Sequence, residues 1–201
     1  MPRTEEQYEA MRAATRDKIH SAAIKLFAKK GFAATGVKDI ADSAGISVGL
    51  LYRHYKTKED LFNELVSYAA EGLKRIAKKF QSNESPSELI QQFTLEILSD
   101  LDKEDEIAGF YMLMNQSSTM ENPSPQIKNL NKQSEAMFSR TTQLIEKGQK
   151  LGQFKQGNAS EMVLYYFASI QGMMTMKLAM SDRYITPSPQ IVTAFLIREN
   201  L

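Results

Sequence analysis

The sequence predicts an all-α protein of about nine helices, with a three-helix N-terminal head built on a helix-turn-helix and a larger helical C-terminal body. Apolar residues recur at helical spacing in nearly every segment. Serine, threonine and asparagine caps, several followed by proline or by a carboxylate at the third helical position, separate those segments. No alternating pattern of convincing strand length appears.

Ile19, Ala22, Ala23, Leu26 and Phe27 lie along one face of a first helix that ends near Gly31. Residues 37–44 make a short second helix. Gly45, Ile46 and Ser47 then turn the chain, and Ser47 caps a third helix reaching about Tyr55. Thr57 to Asp60 has the form of a capping box and opens a fourth helix to about Phe80, with Leu61, Leu65, Tyr68, Ile76 and Phe80 inward. After a polar break at 81–84, Ser85, Pro86 and Glu88 start a fifth helix whose apolar face is Leu89, Ile90, Phe93, Ile97, Leu98 and Leu101. An acidic stretch at 100–106 leads into a helix carrying Ile107, Phe110, Tyr111 and Met114. Ser124 and Pro125 open a long helix to about Leu151, weakened near its end by Gly148 and Gly152. Asn158 caps the next helix, and Ser188 with Pro189 caps a last one bearing Ile191, Val192, Phe195 and Leu196.

Composition bounds what these helices do. The chain has 201 residues, 42% apolar and 24% charged, enough for a buried core. Without cysteine it has no disulfide, thiolate metal site or cysteine nucleophile. The net charge of +1 hides an asymmetry: residues 1–80 hold 15 Lys/Arg against 10 Asp/Glu, and residues 81–201 hold 10 against 14. A basic half is a hint of nucleic-acid or membrane contact. The most apolar stretch, 162–180, has 14 apolar residues in 19, but Gln171 and Lys177 interrupt it. A helix buried on both sides is expected there in place of a membrane span. The N-terminus has no apolar signal core, so a cytoplasmic protein is expected.

Two short helices joined by a glycine turn and braced by longer ones have the layout of a helix-turn-helix. Ala41 and Ala44 keep the second helix slim, while Ile40, Ile46 and Leu51 plug a small core. Ser47, Val48, Gly49, Leu50 and Arg53 then stand at the exposed start of the third helix, the part of a recognition helix that meets base edges. Tyr52, His54 and Lys58 are placed to hold phosphates, and Thr35 and Lys38 flank the start of the second helix.

The string Ile19, Ala22-Ala23, Leu26-Phe27, Gly31-Phe32, Thr35, Val37, Ile40-Ala41, Ala44-Gly45, Ser47, Gly49, Tyr52, Tyr55, Lys58 and Leu61 resembles the TetR-type (tetracycline-repressor-like) bacterial transcription regulators over about 45 residues. The resemblance implies a DNA-binding domain over residues 1–58 and a ligand-binding and dimerisation domain over 59–201, with a connecting helix at about 58–80. It implies a homodimer through the last two helices, a double-stranded DNA operator and a small-molecule effector. It puts phosphate contacts on Thr35, Tyr52, His54 and Lys58, and base or mixed contacts on Lys38 and residues 47–53. Tyr55 departs from the pattern, which commonly has Phe there, and Gly36 replaces a frequent hydroxyl residue.

Read without that resemblance, His20 is a partly exposed helical residue, and neither it nor His54 has a second ligand at metal-binding spacing. No metal, cofactor or catalytic residue is therefore expected. The carboxylates Asp102, Glu104, Asp105 and Glu106 read as a solvated helix start. Nine of the eleven methionines lie beyond residue 81, and methionine fills adaptable pockets as readily as cores. Met114, Met137, Met174, Phe93, Ile97, Phe110, Tyr111, Phe138, Thr141, Tyr166 and Ile170 are the candidate lining of a pocket for a fairly apolar effector. Two other readings stay open at this point: a helical small-molecule binder without operator recognition, and a nonspecific DNA-organising protein, which the modest +5 of the basic half disfavours.

Overall fold

The computed structural model describes residues 4–198, apart from Glu104 and Thr119. Its helices are α1 (Glu5–Lys30), α2 (Val37–Ala44), α3 (Val48–His54), α4 (Lys58–Lys79), α5 (Pro86–Lys103), α6 (Asp105–Ser118), α7 (Pro125–Lys150), α8 (Ala159–Met180) and α9 (Pro189–Thr193). Among the described residues the one extended pairing is an isolated antiparallel bridge between Phe154 and Ile197. The chain is all-α, and it divides into two compact units inside α4, after Val66.

The first unit is built on rings and small side chains. Ile19, Ala22, Ala23 and Phe27 of α1 are buried, as are Ile40 and Ala41 of α2 and Leu51 of α3. Phe27, Phe32 and Phe62 form a cluster with ring centroids 4.9–6.0 Å apart, a spacing aromatic pairs favour. Gly45 ends α2 at φ 67, ψ 35, a left-handed conformation costly to any residue with a Cβ. Ser47 then caps α3, its hydroxyl accepting the Leu50 N–H at 3.1 Å. Thr57 and Asp60 exchange two bonds of 3.0 Å, the reciprocal cap that starts α4. The sequence gives no periodic signal for the start of α1, because residues 4–14 are exposed on every side; the capping box between Thr4 and Gln7 marks it instead.

The second unit is a helical body around one apolar cluster containing Phe80, Leu89, Ile90, Leu98, Leu101, Met137, Leu144, Ile145, Phe154, Val163, Tyr166, Ile170 and Met174. Helix α8 packs on α6 and α7, and α9 packs on α5. Ser124, Asn158 and Ser188 cap α7, α8 and α9. The start of α5 is closed from a distance: Gln153 Oε1 accepts the Ser87 N–H at 3.1 Å and the Ser85 hydroxyl at 3.2 Å. Gly148 lies in the last turn of α7, where the Phe154 ring covers its Cα. Two expectations are corrected here. Helix α9 has five residues, because the chain turns after Thr193 to bring Ile197 beside Phe154. Helix α8 is buried on one side of this chain only: Val163, Tyr166, Ile170 and Met174 face the core, while Leu164, Tyr165, Ala168, Gln171, Gly172, Thr175, Met176 and Ala179 are exposed. No helix among the described residues is long and apolar enough to cross a membrane. Of the acidic stretch, Glu104 and the side chains of Asp105 and Glu106 lie outside the described residues, and Asp102 accepts a 3.0 Å bond from the Thr186 hydroxyl.

Candidate nucleic-acid interface

The outward face of α3 follows from its length. Seven residues make two turns, and Leu51, 1% exposed, is the residue that anchors them in the core. Ser47, Gly49, Tyr52 and Arg53 are consequently exposed, with Val48, Leu50 and His54 half-buried at the edges. Tyr52 is 51% exposed, so its ring and hydroxyl are open to a partner. Lys38 is exposed on α2. Burial first, and then the Arg12 and Arg16 charges, hold His54 below its ordinary pKa. The ring is thus neutral at pH 7 and offers an N–H without a formal charge.

Two of the expected phosphate-binding side chains point elsewhere. Thr35 is 1% exposed, and its hydroxyl donates to the carbonyls of Gly31 at 2.8 Å and Leu26 at 3.3 Å, closing the end of α1. Lys58 turns its ammonium inward, donating to the Phe32 carbonyl at 2.7 Å and the Thr35 carbonyl at 2.8 Å, 4.4 Å above the Phe32 ring. Carbonyls past a helix C-terminus have no helical partner, and a cation is the natural group to satisfy them. Replacing Lys58 by methionine should destabilise the protein by about 2 kcal/mol, since bonds to a charged group contribute on the order of 1.5–3 kcal/mol. Chemical denaturation reads this directly; an unchanged midpoint would mean that water replaces the ammonium without loss.

His20 is partly exposed, as read from the sequence, and is also tied in. Its Nε2 lies 2.8 Å from the Tyr55 hydroxyl and 3.1 Å from Glu64 Oε1. Glu64 has no place in any sequence motif, and a lone glutamate on an amphipathic helix gives no signal that would single it out.

The candidate pocket residues all fall in the body. Met137, Thr141, Tyr166, Ile170 and Met174 are buried, while Phe93, Ile97, Tyr111 and Phe138 pack on the same cluster half-buried. Phe110 and Met114 are also half-buried, and Phe110 stands edge-on to Tyr68 at 6.2 Å. Thr94 was missed: it is 1% exposed and shares a 2.6 Å bond with the Tyr166 hydroxyl inside this apolar cluster. Its position four residues after Ile90 and four before Leu98 is the signal that places it inward. Burial pushes the Tyr166 hydroxyl well above its ordinary pKa, so it stays protonated and can donate.

Residues 19–65 match the family described as bacterial regulatory proteins, tetR family. The probable HTH-type transcriptional regulator YttP of Bacillus subtilis (strain 168) is 37% identical over 92 residues, 44% of this chain and 44% of that protein. The HTH-type transcriptional repressor KstR2 of Mycolicibacterium smegmatis is 48% identical over 54 residues, 27% of this chain and 26% of that one. The chain thus spans less than half the length of these curated relatives. The structure of transcriptional regulator FadR from Bacillus subtilis in complex with stearoyl-CoA shares the fold, with a TM-score of 0.59 at 17% identity, covering 89% of this chain and 94% of that one.

Proposed function

From a chain whose head is of the tetR type, we propose a dimeric, sequence-specific DNA-binding repressor whose affinity for its operator is set by a fairly apolar small molecule. The observation that carries the reading is the outward face of α3, where exposed Tyr52 and Arg53 stand beside a glycine with open space above its Cα. In this reading α3 enters the major groove, with Val48, Gly49, Leu50 and Arg53 meeting base edges and Tyr52, His54 and Lys38 on the backbone. The N–H groups at the start of α2, beside Lys38, suit a phosphate there. Eleven Lys/Arg against six Asp/Glu by residue 58 supply the attraction. The exposed face of α8, with Ile191 beside it, meets a second copy, and the two α3 helices reach successive major grooves about 34–36 Å apart. The effector sits among the body residues named above, where the Thr94–Tyr166 pair is the polar handle in an apolar lining. It biases the protein toward the arrangement that binds it better, with α4, shared by both units, as the carrier.

The test is selection of bound fragments from random DNA at near-physiological salt. A near-palindromic sequence should emerge. Tyr52→Phe should weaken all fragments alike, whereas Val48 or Arg53 variants should change which fragments emerge. Salt-sensitive binding with no sequence preference would favour a DNA-organising protein, and no retention of DNA would leave a helical ligand binder.

A further inference from the structure

In the first unit three side chains converge on one carboxylate oxygen. Glu64 Oε1, on α4, accepts from the Tyr55 hydroxyl at 2.9 Å, from Arg16 Nε at 3.3 Å and from His20 Nε2 at 3.1 Å. The His20 nitrogen is also 2.8 Å from the Tyr55 hydroxyl. Tyr55 itself is 5% exposed. The Nε2–H tautomer is the one that leaves no conflict: the imidazole donates, the hydroxyl donates to the carboxylate, and no two lone pairs face each other.

Tyr55 follows His54 directly and caps the C-terminal end of α3, its N–H donating to the Leu51 carbonyl at 3.0 Å. A seven-residue helix has no stability of its own and takes its orientation from whatever holds its ends. Burial of Leu51 and of the Tyr55 ring keeps α3 on the core, but apolar burial is non-directional and does not fix its roll. A short hydrogen bond does, because it weakens steeply with angle. Phenylalanine at 55 would fill the same space without that constraint.

We infer that Glu64 is the positioning residue of the recognition helix: its carboxylate, braced from α1 by Arg16 and His20, grips the Tyr55 hydroxyl and fixes the angle at which α3 presents Tyr52 and Arg53. This rests on the DNA-binding reading above. Protonation of His20 adds a proton at Nδ1 and leaves its Nε2–H bonds to the grip in place. Burial holds its pKa below the ordinary value against the opposing pull of Glu64, with Arg16 adding to the lowering and Asp17 opposing it. On α3, His54 is the neighbouring ionisable ring, itself facing Arg12, Arg16 and Glu64. Since the folded pKa of His20 lies below the unfolded one, its neutral form is the one the fold prefers. That contribution is complete above about pH 6.5 and is lost as the pH falls through the folded pKa.

The experiment uses the full chain, a DNA fragment of about 25 base pairs recovered by the protein itself from random sequence, and the variants Tyr55→Phe, Glu64→Gln and their combination. At pH 7.5 each single variant should bind the fragment about tenfold more weakly, the loss expected if one molecule in ten keeps the competent orientation. The slope of affinity against salt should not change, because no phosphate contact is removed. The double variant should be no weaker than either single one, since both act on the same bond, one by removing its donor and the other by removing the acceptor's charge. In the free protein, the His20 ring, one of only two histidines in the proton NMR spectrum, should titrate at a different pH in both variants. Amide exchange over residues 51–55 should quicken. Wild-type affinity in Tyr55→Phe, or additive losses, overturns the proposal. Should Glu64→Gln fail to fold, the near-isosteric Tyr55→Phe decides alone. Should the wild type recover no DNA, the DNA-binding reading falls; unchanged exchange at 51–55 in Tyr55→Phe would then overturn the grip as well.

Discussion

Gly148→Leu should be among the most damaging single substitutions in the body. A Cβ at residue 148 would come within 2.5 Å of the Phe154 Cε2 atom and 2.9 Å of its Cγ, and Phe154 is 1% exposed with no room to retreat. The ring is held further by its own backbone, whose N–H donates to the Gly148 carbonyl at 3.3 Å. Overpacking of this kind costs about 1–3 kcal/mol for one added group and more for a branched side chain. Even Gly148→Ala should be destabilising, although an exposed helical glycine replaced by alanine gains about 1 kcal/mol. Phe154→Ala should cost about 3–5 kcal/mol by emptying the same site. Chemical denaturation of the three variants checks the argument, and a Gly148→Ala protein more stable than the wild type would refute it. Gly148→Ala combined with Phe154→Leu should lose less than the sum of the two, because the contact being broken is shared.

The second large effect concerns assembly. The open side of α8 presents Leu164 at 62%, Tyr165 at 59% and Met176 at 50% exposure, with Ala168, Gly172 and Thr175 between them. These positions recur every three or four residues, so they form one stripe along the helix, and the small residues let another backbone come close. Leu164→Glu with Met176→Glu should convert an assembly of twice 22.7 kDa into one of 22.7 kDa in sedimentation, with helix content unchanged. Placing unpaired carboxylates in an apolar contact is far costlier than leaving them in water. Operator affinity should fall at least about 100-fold, because linkage of two half-site contacts contributes 10²–10⁴ in avidity. An unaltered sedimentation coefficient would show that any association uses another surface.

The head was legible in the sequence because its constraints are local. Gly45 in the left-handed region, Ser47 as a cap and the slim Ala41 each declare themselves within a few residues. What escaped were partners brought together by the fold. Lys58 reads as an exposed cation at a helix start, and only the loop carrying Phe32 and Thr35 turns it inward. Tyr55 stands out in the sequence as an unexpected hydroxyl, but its acceptor on α4 and its companion on α1 are 9 and 35 residues away. Helix α8 was expected to be buried on both sides because all of its faces are apolar. Composition shows that two faces seek cover, without showing that one chain covers only one of them. Most of the residues read as a candidate effector lining lie in or against one apolar cluster of the body, whereas Thr94 was passed over because a threonine among apolar residues carries no label of its own.

The way Gln153 joins distant parts of the body bears on the order in which the protein can be made. Its side chain closes the start of α5, 66 residues earlier at Ser87, while its carbonyl accepts the Arg198 N–H at 3.0 Å and Lys155, two residues on, donates its N–H to the Leu196 carbonyl at 2.9 Å. Thr186 reaches back 84 residues to Asp102. Contacts of such separation slow folding, because the chain between them must be closed into a loop before they can form. The first unit is complete by Val66. On the ribosome it can therefore fold while the rest is still being translated, whereas the body waits for its last turn to emerge and holds its apolar faces open until then. That interval is when the nascent protein is most exposed to aggregation and most in need of a chaperone.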